Sequence, residues 1–244
     1  MPQPLGYPAA MVHRAVFFDF GGTLFSYGAL RDSFDRFLEE TARRHGIEAS
    51  PPELRRAYRT TMARAFADFV SRPFYLHREL FAAAHRGFLR ELGGAPGPDA
   101  GDLFYAGQSA LGLARVQVRA DARETLEALH ARGLHLSIVS NIDDDQFHPL
   151  FERLALAELF DAVTTSEEAR SCKPDPGIFR LALAKAGDPR PEEVVFVGDS
   201  PEHDVAGAAP LGMRTVLIGK AARAEGPKPD HVIASLRELL GIVG

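Results

Sequence analysis

One cysteine, Cys172, stands in a chain of 244 residues. A lone thiol excludes an internal disulfide, so the fold must rest on its core, and it suits a reducing cytoplasm. Lysine is also scarce: Lys173, Lys185, Lys220 and Lys228 are the full set, and all follow residue 118. No apolar run approaches the ~20 residues of a membrane span, and no repeat or low-complexity tract interrupts the chain. The net charge of −5 gives no basic footprint for a nucleic-acid partner. Residues 1–13 hold three prolines and no signal-peptide pattern. They read as a loose tail, with Met11 as an alternative start. What remains is 45% hydrophobic, enough for one core domain with an insert.

The apolar patterning divides the chain. Residues 14–20 read as a strand of β-formers ending in Asp19 and Phe20, followed by the glycines Gly21 and Gly22. From Phe25 to about Val118 the period is helical. Leu30, Phe34, Phe37 and Leu38 form one stripe, and Leu54, Tyr58, Met62, Phe66 and Phe69 a second. Leu76, Leu80, Ala84, Phe88 and Leu92 make a third, and Leu103 to Leu113 a weaker fourth. Strand–helix alternation resumes after Val118, with a helix over 122–132 closed by Gly133. Strands follow at 134–140, 162–165, 194–198, 214–218 and 231–233, and a last helix at 235–240. Such alternation predicts an α/β fold with a parallel, doubly wound sheet. The expected division is a core of 14–25 and 119–244 with an all-helical cap of 26–118.

Four segments carry chemistry. Asp19 ends the first strand, where open α/β sheets bind ligands, and Gly21 and Gly22 let the backbone turn and approach an anion. Ser140 and Asn141 end a second strand. Lys173 sits in a loop fixed by Pro174 and Pro176. The run Gly198-Asp199-Ser200-Pro201 ends a third strand and opens a helix, with Ser200 as N-cap, Pro201 at its first position and Asp204 in its first turn. Pro210 predicts a kink or an early end to that helix.

An aspartate, a serine, a lysine and paired aspartates, in that order on strand ends and loops, resemble the haloacid dehalogenase-like hydrolase superfamily. The resemblance covers Arg14 to the C-terminus apart from the insert. It implies a Rossmann-like core with Asp19 as nucleophile, forming an aspartyl phosphate that water cleaves. Lys173 would be the charge-balancing catalytic cation and would touch phosphate with Ser140, Asn141 and Gly22. Mg²⁺ would be held by Asp19, Asp199 and the carbonyl of Gly21, with Asp204, Ser200 and Thr23 one step further out, orienting the metal waters or Lys173. The implied partner is a small phosphorylated substrate and the implied location cytoplasmic; oligomeric state is open.

One member of the expected set is missing. Relatives that act as phosphatases carry an acid two residues after the nucleophile, where this chain has Gly21. Three accounts stay open: a substrate with a good leaving group, a donor elsewhere such as His77 or His85, or a weakly active protein that binds a phosphorylated ligand or partner. A metal-free 2-haloacid dehalogenase is a further alternative, set against retention of Gly198-Asp199. A phosphonate-cleaving branch is excluded because it needs a cap lysine. The cap arginines Arg31, Arg55, Arg56, Arg59, Arg64, Arg72, Arg78 and Arg86 offer one or two contacts to a second anionic group. The Cys172 thiol, beside Lys173, reads as an inert small side chain.

If the acid is what is missing, Gly21→Asp should raise the alkyl-over-aryl phosphate ratio of kcat/KM, by up to about 10²-fold. A folded variant whose ratio stays flat would show that proton donation at this position does not limit turnover.

Overall fold

The computed structural model describes residues 13–26, 31–219 and 226–243. The expected tail over 1–12, with Leu30 and Lys220, lies outside them. Six parallel strands form one sheet in the order β3-β2-β1-β4-β5-β6: β1 Ala15–Phe18, β2 His135–Ser140, β3 Ala162–Thr165, β4 Val194–Gly198, β5 Arg214–Ile218 and β6 His231–Ile233. Alternation decides which side chains face which layer. Val16 and Phe18 of β1 join a cluster with Leu126, Ile138, Phe147 and Val197 on one face. Ala15 and Phe17 join Ile178, Phe179 and Phe196 on the other. Both faces of β1 are therefore dry, which fixes its register.

Between β1 and the helix α5 (Ala122–Ala131) come α1 (Arg31–Arg44), α2 (Pro51–Phe69), α3 (His77–Glu91) and α4 (Ala100–Arg115). These four pack on one another through Leu38, Leu54, Phe88 and Phe104, apart from the sheet's core. At the neck, Phe25 and Val118 form an antiparallel bridge, and Arg119 N–H donates to the Leu24 carbonyl at 3.0 Å. The sheet is completed by α6 (Asp144–Leu154), α7 (Ser166–Ala169) and α8 (Pro176–Lys185). No helix among the described residues is long and apolar enough to cross a membrane.

Some edges differ from the sequence reading. β1 ends at Phe18, so Asp19 lies one residue beyond it, although its N–H still donates to Val197 at 2.8 Å. The expected last helix is a 3-10 helix, Leu236–Gly241. His13, read as tail, is buried. After Asp199 the helix opens with a wide turn, Pro201–Val205, passes through Ala206–Ala208 and tightens to 3-10 at Ala209–Leu211. Pro210 has no N–H to continue an α-helix, and the segment stops at Gly212 in the left-handed region, φ 93°.

The bundle is tied to the sheet chiefly by one buried acid. Asp143, just past β2, accepts from the main-chain N–H groups of His77 and Arg78, both at 2.8 Å. It thereby satisfies the N-terminus of α3 from across the chain. Arg78 returns the contact to Asp143 at 3.1 Å and reaches Glu167 at 2.9 Å. Burial alone would raise the Asp143 pKa, but the donors of His77 and Arg78 outweigh it and hold the carboxyl below its ordinary value. Its stabilisation is therefore complete above about pH 4 and is lost as pH falls through the lower folded value. Asp143→Ala should cost about 2 kcal/mol or more by denaturant melting, and Asp143→Asn less. An unchanged midpoint for Asp143→Ala would show that this contact does not hold the bundle.

Candidate active site

Asp19 leaves the sheet where the chain has turned from β1 to β2 on one side and to β4 on the other. Such a switch point opens a crevice at the carboxyl strand ends. The turn beyond it needs its glycine: Gly22 has φ 87°, and a Cβ there would stand 2.0 Å from Asp199 Oδ2. Arg119 holds the turn from outside, donating to the Thr23 carbonyl at 2.9 Å and to the Gly22 carbonyl at 2.5 Å. Thr23 Oγ1 donates to Asp19 Oδ2 at 3.2 Å. Ser140 Oγ, from the end of β2, donates to Asp19 Oδ1 at 3.3 Å.

Lys173 is positioned by its own backbone. Its N–H donates to Asn141 Oδ1 at 2.6 Å, and Asn141 Nδ2 donates back to the Lys173 carbonyl at 2.9 Å. The Asn141 side chain is thus committed to this loop. The ammonium, 3% exposed, donates to Asp19 Oδ1 at 2.7 Å and to Asp204 Oδ1 at 2.6 Å. Burial opposes its charge, but the two carboxylates outweigh that and keep it protonated. The second oxygen of Asp204 accepts from Ser200 N–H at 2.9 Å. A Cβ on Gly198 would stand 2.1 Å from that oxygen, so Gly198 clears the space Asp204 occupies. The Ser200 side chain caps the next turn, accepting from His203 N–H at 3.2 Å.

Negative charge is in excess here. Oxygens of Asp19, Asp199 and Asp204 lie within 4.8 Å of one another, against the single ammonium of Lys173. Burial, then Asp19 and Asp204, push the Asp199 pKa up to about 7. Burial raises Asp19 too, with Lys173 pulling the other way. A divalent cation fits this donor set, because Asp19, Asp199 and Asp204 bring carboxylate oxygens, the hard donors that Mg²⁺ prefers, within 4.8 Å of one another.

Above these groups lies a cavity of ≈ 550 Å³ lined by Asp19, Gly21, Ser140, Lys173, Asp199 and Asp204, and roofed by the bundle. The sequence-named histidines separate. His77 lines the cavity, its Nδ1 3.7 Å from Asp143. His85 is instead buried in the bundle, stacked on Phe104 at 4.2 Å, with burial and then His45 lowering its pKa to about 4. Burial raises the Cys172 thiol, which packs with Tyr75 and Leu80. Among the described residues no arginine lines the cavity; Arg78, the bundle arginine nearest in sequence to His77, is held by Asp143 and Glu167. Two residues escaped the sequence reading. His203 lines the cavity, its Nδ1 3.0 Å from Ser200 Oγ and its ring against Phe66. Its position directly before Asp204 was the available signal. Arg119 had none, because its clamp joins segments 96 and 97 residues apart.

The sequence model of the haloacid dehalogenase-like hydrolase family matches residues 13–212. The chain is 30% identical to ribulose-1,5-bisphosphate 5-phosphatase of Halopiger xanaduensis, over 94% of this chain and 98% of that one. Among solved structures, a HAD phosphatase from Thermococcus onnurineus superposes with TM-score 0.68 at 26% identity, covering 95% of this chain and 98% of that one. A dehalogenase superposes with TM-score 0.70 at 25% identity, covering 94% and 96%. Sheet order, site and sequence therefore agree that this chain belongs to the haloacid dehalogenase-like hydrolases.

Proposed function

We propose that the protein hydrolyses a small phosphorylated metabolite in a Mg²⁺-dependent reaction, through an aspartyl phosphate on Asp19. The observation that carries this reading is the surplus of carboxylate around one buried ammonium, which a divalent cation and a phosphoryl group together would balance. The phosphatase names of the Halopiger and Thermococcus relatives support it. The bundle α1–α4 acts as the cap over the site.

Bound at Asp19, Asp199 and the Gly21 carbonyl, Mg²⁺ would supply charge stabilisation on a phosphoryl oxygen. The chain's own groups do the rest. Lys173 eases the ionisation of Asp19, which burial opposes, and meets developing negative charge. Ser140 Oγ, the Asn141 N–H and the turn at Gly22 receive phosphoryl oxygens. A carboxylate oxygen of Asp19 attacks phosphorus as the ester P–O bond breaks, its electron pair leaving with the alcohol oxygen, which takes a proton from solvent. Water then cleaves the acyl phosphate, one of its protons staying on phosphate and the other passing to solvent, and the Asp19 carboxylate is freed. Asp204 positions Lys173, Thr23 steadies Asp19, and Ser200 holds the turn that carries Asp204. A dehalogenase would need no metal, so metal dependence separates the two chemistries.

Asp19→Asn keeps the shape but removes the nucleophile. Phosphatase activity on an aryl phosphate should fall to background while the far-ultraviolet spectrum and melting stay near wild type. Turnover retained at the wild-type rate would assign the nucleophile elsewhere.

Metal binding should also show in stability. Asp199 is raised to about 7 in the folded protein, so between about pH 4 and 7 the folded state holds a proton the unfolded chain has lost. Metal-free stability then falls as pH rises through that range. The rise in Tm on adding saturating Mg²⁺ should be larger at about pH 8 than at about pH 5, because the metal must displace that proton. Equal increments, or activity undiminished by a chelator, would contradict a metal at Asp199.

A further inference from the structure

The cavity above Asp19 carries its charge at one end only. Beyond Asp19, Lys173, Asp199 and Asp204, the bundle contributes Phe34, Phe66, Tyr75, Phe81 and Leu111 to its wall. Phe25, Val116, Ile142 and Leu150 continue that apolar surface on the sheet side. Among the described residues, the only lysine or arginine in the lining is Lys173, and it is already paired to Asp19 and Asp204. An anion placed against this wall would lose hydration and gain no counter-charge.

The polar groups in the wall point the same way. His77 turns its Nδ1 toward Asp143, at 3.7 Å and without a hydrogen bond, and His203 is joined to Ser200. Gln108 lines the cavity, and its Oε1 is buried without a hydrogen-bond partner among the described residues. That oxygen wants a donor. A hydroxyl or an N–H on a ligand would satisfy it; a carboxylate has no proton to give at neutral pH, and a second phosphate, with a second pKa of about 6, has one only in its minor form.

We propose that the substrate is a phosphate monoester on an apolar, ring-sized body that bears a neutral hydroxyl or N–H at most and no second anionic group. Doubly phosphorylated sugars and phosphorylated carboxylic acids are excluded by the same wall. The proposal rests on the phosphoryl-transfer reading above, since that reading puts the phosphate at Asp19. It deepens that reading by assigning the other end of the cavity.

Two arms keep the claims apart. In the first, calorimetry on the full chain with Mg²⁺ compares phosphonates, which do not turn over: propylphosphonate, 3-phenylpropylphosphonate and 3-phosphonopropionate. The phenyl compound should bind at least about tenfold tighter than propylphosphonate through apolar burial. The carboxylate compound should bind no tighter than propylphosphonate. Tightest binding by 3-phosphonopropionate would overturn the proposal. In the second arm, 3-phenylpropyl phosphate and 3-phosphoglycerate, both primary esters, are compared by kcat/KM. A preference of at least about tenfold for the phenyl ester supports the proposal, and a preference for 3-phosphoglycerate overturns it while leaving the phosphatase reading intact. Tight phenylpropylphosphonate binding with no Mg²⁺-dependent hydrolysis of either ester or of an aryl phosphate would sink the phosphatase reading and keep the cavity assignment. Leu111→Arg, with its fold checked by melting, should shift the phosphonate preference toward the carboxylate compound by at least about tenfold. A folded variant with an unmoved preference would place the ligand body elsewhere and overturn the proposal.

Discussion

The site is organised around one buried ammonium. Lys173 stands between Asp19 and Asp204 at 2.7 and 2.6 Å, in surroundings where an unpaired charge of either sign would be costly. Three requirements follow. The lysine needs a rigid loop, which the reciprocal Asn141 contacts provide. Asp19 needs a strand buried on both faces to deliver it, which Ala15 to Phe18 provide. Asp204 needs room beside β4, which Gly198 leaves. With those met, Lys173 offsets only part of the carboxylate charge, and Asp19 and Asp199 bear the remainder as raised pKa values.

That imbalance links fold to chemistry. A carboxylate that ionises near neutrality only with difficulty is a poor resident of a metal-free site and a suitable ligand in a metal-bound one. Asp19, one of the neighbours that raise Asp199, is the one that would share a cation with it. The apolar wall above has the complementary role. Among the described residues it carries no lysine or arginine besides Lys173, so in the proposed reading anionic character is confined to the strand ends and the bundle would select by shape and burial.

Much of this arrangement was legible in the chain because the residues it brings together sit at strand ends and in one loop. Asp19, Ser140, Lys173 and Asp199 each follow an apolar run or stand in a proline-fixed loop, and local pattern is enough to find them. Edges were less legible: the switch from α to 3-10 at Leu236–Gly241 and the wide turn at Pro201–Val205 depend on packing that no local period encodes. Least legible were contacts made by the fold itself. Asp143 looks like any loop acid until α3 is placed over it, and Arg119 looks like any surface cation until the Gly22 turn comes within reach. His85 illustrates the converse, since its place on an apolar helical face suited a core role that stacking on Phe104 realises.

The central claim is that Asp19 is the atom source for a covalent phosphoryl intermediate. The most direct test is rapid acid quench of wild-type protein mixed with an aryl phosphate and Mg²⁺, followed by peptide mass analysis. The account predicts one added phosphoryl group on the peptide carrying Asp19, present within the first turnover, absent without Mg²⁺ and absent in Asp19→Asn. Turnover with no such adduct on Asp19 at any quench time, or an adduct on another residue, would contradict it.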